Sequence, residues 1–307
     1  RVLASGICGA QLQEIAGHKG NGKYLPHLLG HEGCGVVEQV GPHVQRVKPG
    51  DRVVMHWRKA SGIEAAPARY KFNGGHAGGG PVTTFCQRAV VSENRLTPVP
   101  AETPVELCAL LGCGLSTALA TIEFEAELRF GESILIVGCG GLGLNLIQAA
   151  RLAQAGDIAV LDIYEDKRAM AEKAGARFFC NSYELPCSTF DVVVDTTGAP
   201  AALESTIPLL SDSGRYIMVG QPAPGAAVRL INANHFFGGT GKSVKATQGG
   251  SFQPDKHMAR YIRLYEMGAL RLDGLITHRF VLDDVNHAID VVTKGLAGRV
   301  ILDIHTS

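Results

Sequence analysis

The sequence predicts an α/β protein in which a doubly wound parallel sheet is joined to a second, β-rich domain. Between about residues 115 and 250, short apolar runs alternate with helical segments, which is the order that parallel βαβ units require. Before that stretch, β-branched runs are broken by glycine, proline and aspartate, which is typical of a β-rich domain. We therefore expect the β-rich domain over residues 1–114 and 251–307, and the parallel α/β domain over residues 115–250.

The first part of the β-rich domain is predicted to contain strands over residues 33–40, 51–55, 82–91 and 96–99. The chain opens on Arg1-Val-Leu-Ala-Ser, which resembles the middle of a strand, so we expect further residues before it. Residues 60–80 are rich in glycine, alanine and proline and have little periodicity, which predicts a loop or lid. Helical spacing then begins, with helices expected over residues 106–111 and 116–124.

The most specific motif follows a buried apolar run at residues 134–137. That run ends in Gly138-x-Gly140-x-x-Gly143, a helix-like segment follows, and a second apolar run delivers Asp162. The first glycine permits a tight turn, the second lets the backbone approach a pyrophosphate, and the third lets helix and strand pack closely. Asp162 would accept hydrogen bonds from a ribose 2′-hydroxyl and repel a 2′-phosphate. We therefore predict a Rossmann unit that binds NAD through Gly138, Gly140, Gly141, Leu142, Gly143 and Asp162.

The remaining elements continue this alternation, apart from one short connection. Only residues 180–191 separate Phe178-Phe179 from the next predicted strand. A parallel crossover usually needs a dozen or more residues and a helix. Either this connection is a helix-free loop or residues are absent from the sequence, and we favour absent residues. The other predicted strands are 158–161, 192–195, 216–219, 279–282 and 299–304, and the other helices are 144–155, 167–173, 201–210, 255–266 and 285–292.

Composition argues against several classes of partner. Lys and Arg together equal Asp and Glu at 29 each, so neither a nucleic acid nor a membrane surface is an expected partner. No apolar run reaches the roughly 18–20 residues that a membrane span requires. The eight cysteines are scattered through apolar or glycine-rich surroundings, which is unlike a secreted disulfide framework. We therefore expect a cytoplasmic protein.

Three separated elements together indicate a metal site. Gly30-His31-Glu32-Gly33-Cys34-Gly35 fits the pattern Gly-His-Glu-x-x-Gly-x5-Gly-x2-Val, Cys8 lies upstream in Ser-Gly-Ile-Cys-Gly, and Cys113 lies in Leu-Leu-Gly-Cys-Gly. Two thiolates and one imidazole suit a catalytic zinc, which keeps a fourth position for water or substrate. Zinc in such a site polarises a carbonyl and lowers the pKa of an alcohol before hydride leaves carbon.

At these points, and over essentially its whole length, the chain resembles the zinc-dependent medium-chain alcohol dehydrogenases. The resemblance implies a GroES-like catalytic domain beside the Rossmann domain. It implies that Cys8, His31 and Cys113 bind zinc, with Glu32 as a supporting carboxylate or a transient ligand. It also implies that Trp57 lies against a small-molecule alcohol or carbonyl substrate.

The same resemblance assigns further residues to the cofactor. Thr117 would approach the nicotinamide, Lys167 would lie near the adenosine ribose beside Asp162, and Arg299 would contact the pyrophosphate. Residues 228–247 resemble the edge-strand region through which nucleotide domains of this family pair. A homodimer or homotetramer is therefore expected.

The chain departs from the family pattern in two places. Many relatives hold a second, structural zinc on four closely spaced cysteines, whereas residues 60–80 contain no cysteine, so that site is expected to be absent. Relatives also usually place a hydroxyl residue where this chain has Ala10, which cannot relay a proton, and an acid where it has the neutral Gln11. Three explanations remain open: water or Glu32 takes over the relay, the substrate carries a neighbouring hydroxyl, or the site has been weakened.

These observations predict a zinc-dependent oxidoreductase that transfers a hydride between an alcohol and NAD. The polar, cationic segment at residues 56–59 favours a sugar, polyol or cyclitol as substrate. Two alternatives remain, namely a zinc-free quinone- or enone-type reductase of the same fold, and a nucleotide-binding protein that has lost turnover.

Overall fold

A computed structural model describes residues 1–18, 25–183 and 189–304. Its contacts divide the chain into two compact units. The first combines Arg1–Ser116 with Gln253–Ser307, and the second is Thr117–Phe252. One helix (Gly114–Ala120) contains the point where the chain passes from the first unit to the second.

The first segment of the chain is built mainly of short strands. Its elements in order are β1 (Val2–Ile7), α1 (Gly9–Ile15), β2 (Glu32–Val36), β3 (Arg52–His56), β4 (Arg69–Phe72), β5 (Gly75–Gly78), β6 (Leu96–Val99), α2 (Val105–Leu111) and α3 (Gly114–Ala120). β1, β2, β3 and β6 pair antiparallel with their neighbours in one sheet, whereas β4 and β5 form a separate hairpin. A 3-10 turn (Glu93–Arg95) leads into β6.

The second unit is a six-stranded parallel sheet with the order β12-β11-β10-β7-β8-β9. The four residues of β7 and the four of β8 are all buried, as expected of central parallel strands covered by helices. Its elements are β7 (Ile134–Val137), α4 (Gly141–Leu152), β8 (Ile158–Leu161), α5 (Arg168–Ala174), β9 (Phe178–Cys180), β10 (Phe190–Asp195), α6 (Pro200–Thr206), β11 (Leu210–Met218), α7 (Ala233–Phe237) and β12 (Ser243–Ala246).

The chain then returns to the first unit through α8 (Pro254–Glu266), β13 (Ile276–Val281), α9 (Val285–Thr293) and β14 (Arg299–Asp303). β14 lies between β13 and β1, parallel to the first and antiparallel to the second. Side chains from β1, β3, α9 and β14 share one hydrophobic core, so the two ends of the chain are packed together.

The described residues include no single helix that is both long and apolar enough to cross a membrane. Helix α2 and the helical stretch Gly114–Glu125, bent by 59°, pass that test only as a pair, by length and composition.

Two predictions about the β-rich unit are wrong. Residues 82–91 form no strand, because their backbone makes separate hydrogen bonds, such as those from Thr84 and Phe85 to the Leu29 carbonyl, instead of a ladder. The predicted loop at residues 60–80 contains the β4–β5 hairpin. Its turn is Asn73-Gly74, and both residues have positive φ, 45° and 75°, as a two-residue hairpin turn requires. The strand predicted at 33–40 ends earlier, at Val36.

The short connection after β9 joins strands that are not neighbours. β9 is at one edge of the parallel sheet, and β8 and β7 lie between it and β10. Residues 184–188 of this connection lie outside the described residues, so the expectation of absent residues there stays a prediction.

Candidate functional site

The predicted metal ligands meet in the first unit although they come from three separate elements. Cys8 is the residue before α1, His31 immediately precedes β2, and Cys113 lies between α2 and α3. One potential ligand atom from each of the three lies within 4.8 Å of the other two, and the Sγ atoms of Cys8 and Cys113 are 3.8 Å apart.

The spacing of the two sulfurs fits zinc. Two thiolates on one tetrahedral zinc, each with a Zn–S bond of about 2.3 Å, are held about 3.8 Å apart. A disulfide would instead bring the sulfurs to about 2.05 Å, and both cysteines are free. Because the two sulfurs compete for one proton, the pKa of Cys8 is lowered and that of Cys113 is raised. Cys8 therefore ionises readily to a thiolate. A bound cation would stabilise Cys113 as the second thiolate.

Helix α1 orients the histidine of this group. The side-chain amide nitrogen of Gln11, on α1, contacts Nδ1 of His31. A metal on Nε2 requires the ring proton on Nδ1, so Gln11 would then present its amide oxygen, the acceptor, to that nitrogen. The amide oxygen of Gln11 also accepts the backbone N–H of Cys8 at 3.4 Å. One turn further along α1, Glu14 lies 3.3 Å from Nε2 of His27. Two side-chain contacts therefore hold α1 against the segment that leads to His31.

Glu32 is bound by groups other than the three candidate metal ligands. Its side chain has no exposed surface, one carboxylate oxygen pairs with the guanidinium of Arg299, and the other accepts the backbone N–H of Gly114 at 2.9 Å. Burial raises the pKa of Glu32, and the charge of Arg299 opposes that rise. Its role as a transient ligand stays a prediction.

Arg299 was assigned to the cofactor pyrophosphate, but its guanidinium is only 3 % exposed and its visible partner is Glu32. Sequence reasoning missed this pair because the two residues are 267 positions apart. Small residues make room for it: a Cβ on Gly6 or Gly112 would collide with Glu32, and one on Gly114 with Arg299. The glycines beside Cys8 and Cys113 were a sequence signal that large side chains are buried there.

Trp57 follows β3 at the end of the sheet that carries His31. Its carbonyl oxygen accepts a hydrogen bond from Arg95. The neighbouring His56 is fully buried, donates from Nδ1 to the Arg58 carbonyl at 2.7 Å, and is bound through Nε2 to Thr97. Burial lowers the pKa of His56 to about 4, so it is neutral.

The expectation of a polar, cationic pocket segment at residues 56–59 is therefore only partly supported. His56 is in the interior, and Lys59 pairs with Glu64 with 62 % of its side chain exposed. Trp57 and Arg58, both half-buried, remain, and the Arg58 guanidinium lies 4.7 Å from the centre of the Trp57 ring.

The turn before α4 has the geometry that a dinucleotide loop needs. Gly138 has a φ of 93°, in the left-handed region that favours glycine. A Cβ on Gly143 would collide with the Gly138 carbonyl oxygen, so helix and strand pack as closely as expected. Gly140 is exposed, and a Cβ there would meet nothing, which leaves the backbone open at the first residues of α4, Gly141 and Leu142. Backbone N–H groups at such a helix start bind phosphates.

Asp162 follows β8 and lies beside this turn. One carboxylate oxygen accepts the backbone N–H of Cys139 at 2.6 Å, and the other accepts that of Tyr164 at 3.0 Å. Lys167 is only 2 % exposed, so its ammonium lies inside the unit, and its predicted ribose contact stays a prediction. Thr117, on α3, is 8 % exposed.

Two carboxylates bind backbone N–H groups within residues 60–80, the segment that contains no cysteine. Glu93, 5 % exposed, accepts backbone N–H groups from Gln45, Arg46 and Ile63 at 2.7, 2.7 and 2.8 Å. Asp255 accepts the N–H of Ser61 at 2.6 Å. We call residues 61–64 with these two carboxylates the carboxylate clasp. Sequence reasoning missed it, since an isolated glutamate before a strand carries no such signal.

Two protein-family models match the chain. Residues 1–101 match the alcohol dehydrogenase GroES-like domain, and residues 141–266 match the zinc-binding dehydrogenase family. The metal ligands Cys8 and His31 fall in the first match, and the glycine turn from Gly141 onward and Asp162 fall in the second.

Similar proteins cover nearly the whole chain. An NDMA-dependent alcohol dehydrogenase of Amycolatopsis methanolica is 29 % identical over 96 % of this chain and 88 % of its own length. An S-(hydroxymethyl)glutathione dehydrogenase of Komagataella pastoris is 28 % identical over 99 % and 90 %. Among solved structures, an alcohol dehydrogenase zinc-binding domain protein of Burkholderia ambifaria superposes with a TM-score of 0.84 at 26 % identity, covering 100 % of this chain and 91 % of that one.

Proposed function

Because this chain belongs to the zinc-dependent medium-chain alcohol dehydrogenase family, we propose that it transfers a hydride between an alcohol and NAD at one catalytic zinc. The observation that carries this proposal is the Cys8, His31 and Cys113 group, with its two sulfurs 3.8 Å apart. The same group argues against a zinc-free reductase of this fold.

The residues of the first unit would hold the ion as follows. Cys8 and Cys113 supply two thiolates, which balance the charge of a divalent cation, and His31 supplies a neutral imidazole oriented by Gln11. Zinc bound there would supply Lewis-acid polarisation of the alcohol or carbonyl oxygen. Glu32 and Arg299 neutralise each other beneath the ligands, so neither adds net charge to the site.

The second unit would bind the cofactor. The open backbone at Gly140 and the start of α4 suit a pyrophosphate, and Gly138 and Gly143 shape the turn. The half-buried Asp162 favours a ribose 2′-hydroxyl and disfavours a 2′-phosphate, which supports NAD over NADP. A measured preference for NADPH would contradict this assignment.

The proton of the alcohol would leave by a route that does not use residue 10, since alanine has neither donor nor acceptor. A neighbouring hydroxyl on the substrate is one such route. Substrate screening should therefore begin with polyols and cyclitols.

We also propose that two copies of the chain pair through β12. This strand lies at the edge of its sheet and all four of its residues are exposed. Exposed apolar side chains lie close by in sequence, including Ile231 and Phe237, at 54 % and 72 %. Light scattering of the wild type and of Val244→Lys would test the pairing: the variant should dissociate to monomers, and a monomeric wild type would contradict it.

The free cysteines among the described residues fit a reducing, cytoplasmic setting.

Elemental analysis of zinc per chain tests the proposed function directly. The wild type should contain one zinc, and Cys113→Ala should lose or greatly weaken it. The matched variant Cys86→Ala should keep it, since Cys86 bonds the Thr83 carbonyl and packs against the core but is not one of the three candidate ligands. One zinc would also exclude an occupied structural site. Freshly prepared protein with no zinc would contradict the proposal.

A further inference from the structure

The peptide unit between Gly138 and Cys139, in the glycine turn, is held from two sides. Its N–H, on Cys139, donates to the Asp162 carboxylate at 2.6 Å, and its carbonyl, on Gly138, accepts from the Thr196 hydroxyl at 3.3 Å. The two groups of a trans peptide point in opposite directions, so these bonds together fix its plane. Asp162 follows β8 and Thr196 follows β10, and these two strands flank β7. The turn that leaves β7 is therefore held by both neighbours of that strand.

The Thr196 hydroxyl also holds the end of β7. It donates to the Val137 carbonyl at 2.8 Å, and the same carbonyl accepts the backbone N–H of Thr196 at 2.9 Å. A Cβ on Gly138 would collide with the Thr196 hydroxyl oxygen. Thr196 therefore lies directly against the residue at which the turn begins, where φ is 93°.

The loop that carries Thr196 is fixed by the residue before it. The Asp195 side chain has no exposed surface and accepts the N–H and the hydroxyl of Thr197 at 3.2 and 2.7 Å and the N–H of Gly198 at 2.8 Å. The Asp195 backbone carbonyl accepts the N–H of Gly220, after β11, at 3.0 Å. These bonds hold the Thr196 hydroxyl in one position relative to the turn.

The orientation of the Gly138–Cys139 peptide determines the course of the backbone that follows. The carbonyl oxygen of this peptide lies against Gly143 of α4, where a Cβ would collide with it. Gly140 comes next in the turn and is exposed, and α4 begins directly after it. A rotated peptide would therefore redirect the N–H groups that we propose for the pyrophosphate.

We propose that Thr196 is a positioning residue for the dinucleotide. Its hydroxyl fixes the Gly138–Cys139 peptide and, through that peptide, the N–H groups at the start of α4 that bind the pyrophosphate. This inference rests on the proposed dehydrogenase function and deepens it, because it assigns cofactor affinity to a side chain outside the glycine motif.

Titration with NADH, followed by the fluorescence of NADH itself, tests the role on the zinc-loaded full chain. Thr196→Val keeps the shape of the side chain and removes the hydroxyl. It should raise the Kd for NADH about 2- to 10-fold, the usual worth of one hydrogen bond. The KM for NAD should rise by the same factor, while kcat at saturating NAD keeps its wild-type value. Thr196→Ser retains the hydroxyl and should restore the wild-type Kd.

Thr206→Val is the matched control for a loss of stability. Thr206 is buried on α6, and its hydroxyl bonds the Ala202 carbonyl at 2.6 Å and the Tyr216 hydroxyl at 2.8 Å. The variant therefore also loses buried hydrogen bonds of the second unit, but at α6 and β11 instead of at the turn. Its Kd for NADH should equal that of the wild type. Equal losses of affinity in Thr196→Val and Thr206→Val would overturn the positioning role.

Competition against NADH identifies the part of the cofactor that is affected. ADP and adenosine share a base and a ribose, but only ADP carries a pyrophosphate. Thr196→Val should raise the inhibition constant of ADP by the same factor as the Kd for NADH, and should leave that of adenosine unchanged. An equal loss for adenosine would overturn the assignment to the pyrophosphate.

The NADH titration also separates this inference from the proposed function. If the wild type binds NADH but oxidises no alcohol, the proposed hydride transfer fails and the titration still decides the role of Thr196. If the wild type oxidises alcohols with NAD and Thr196→Val binds NADH as tightly, only the positioning role is overturned. A wild type that binds no NADH would overturn both.

Discussion

At the scale of single residues, the most consequential feature is that Gln11, which contacts the candidate ligand His31, is neutral. Gln11 contacts Nδ1 of His31 where a carboxylate would make the imidazole more basic. A less basic imidazole is a weaker ligand, so this site depends more on the orientation that Gln11 imposes.

We therefore expect Gln11→Leu to weaken zinc binding by about 10- to 100-fold, the usual cost of losing a residue that orients a ligand. Competition with a chromophoric chelator measures this directly. Gln13→Leu is the matched control, because Gln13 lies on the same helix and its side chain bonds the exposed His18 rather than His31. Equal zinc affinity in Gln11→Leu and the wild type would show that the amide does not orient His31.

The buried pair of Glu32 and Arg299 predicts a large loss of stability. Removing one partner leaves the other charge buried without compensation, which typically costs about 3–5 kcal/mol. Arg299→Leu should lower the free energy of unfolding by that amount, measured in urea. The double variant with Glu32→Gln should lose less than Arg299→Leu alone, since no charge is then stranded. Additive losses would contradict this account.

At the scale of elements, the carboxylate clasp holds together segments that are far apart in the sequence. Glu93 binds three backbone amides from two loops, and Asp255 binds a fourth. Gly62, at a φ of 115°, lies so close to Glu93 that a side chain there would collide with it. The clasp therefore holds the backbone of Ser61 and Ile63.

The clasp predicts an acid-sensitive fold. Burial alone would raise the pKa of Glu93, but the three amides hold it below the ordinary value of 4.5. The unfolded state then takes up a proton first, so the clasp stabilises the fold above about pH 4.5 and this contribution is lost as the pH falls through the lower, folded value. Glu93→Gln should cost about 1–3 kcal/mol at pH 7. Its unfolding free energy should also depend less on pH below 4.5 than that of the wild type, and equal slopes would contradict the prediction.

At the scale of the whole molecule, the two units should respond to different ligands. Zinc should stabilise the first unit and NADH the second, each by about 2.7 kcal/mol at a hundredfold excess over its Kd. Differential scanning calorimetry with each ligand alone and with both checks this. Cys113→Ala should abolish the zinc effect and keep the NADH effect. An unchanged Tm of the wild type after the metal is chelated would contradict the expected stabilisation of the first unit by zinc.

The sequence predicted the parallel sheet far better than the β-rich unit, for a physical reason. β7 and β8 are buried on both faces, so their apolar runs mark them clearly, at 134–137 and 158–161. Residues 82–91 contain several β-branched residues but form no strand, and composition alone does not separate the two cases. The Asn73-Gly74 turn did carry a hairpin signal, which the surrounding glycines obscured.

The candidate site likewise contains residues that the sequence predicted and a contact that it did not. Cys8, His31 and Cys113 follow from local motifs that occur in one order, and the structure brings them together. The partner of Glu32 could not be predicted, because Arg299 reaches it only through the packing of β14 beside β1.

That packing has a consequence for synthesis on the ribosome. The second unit is one continuous stretch, Thr117–Phe252, so all of its residues are translated before β14. The first unit cannot be completed so early, because β14 is an interior strand of its sheet and is translated after the whole of the second unit. Until then, β1 lacks its neighbour and the carboxylate of Glu32 lacks its counter-charge. The ion pair beside the candidate metal site is thus completed only after β14 has been translated, and a nascent chain that stalls shortly before Arg299 would lack it.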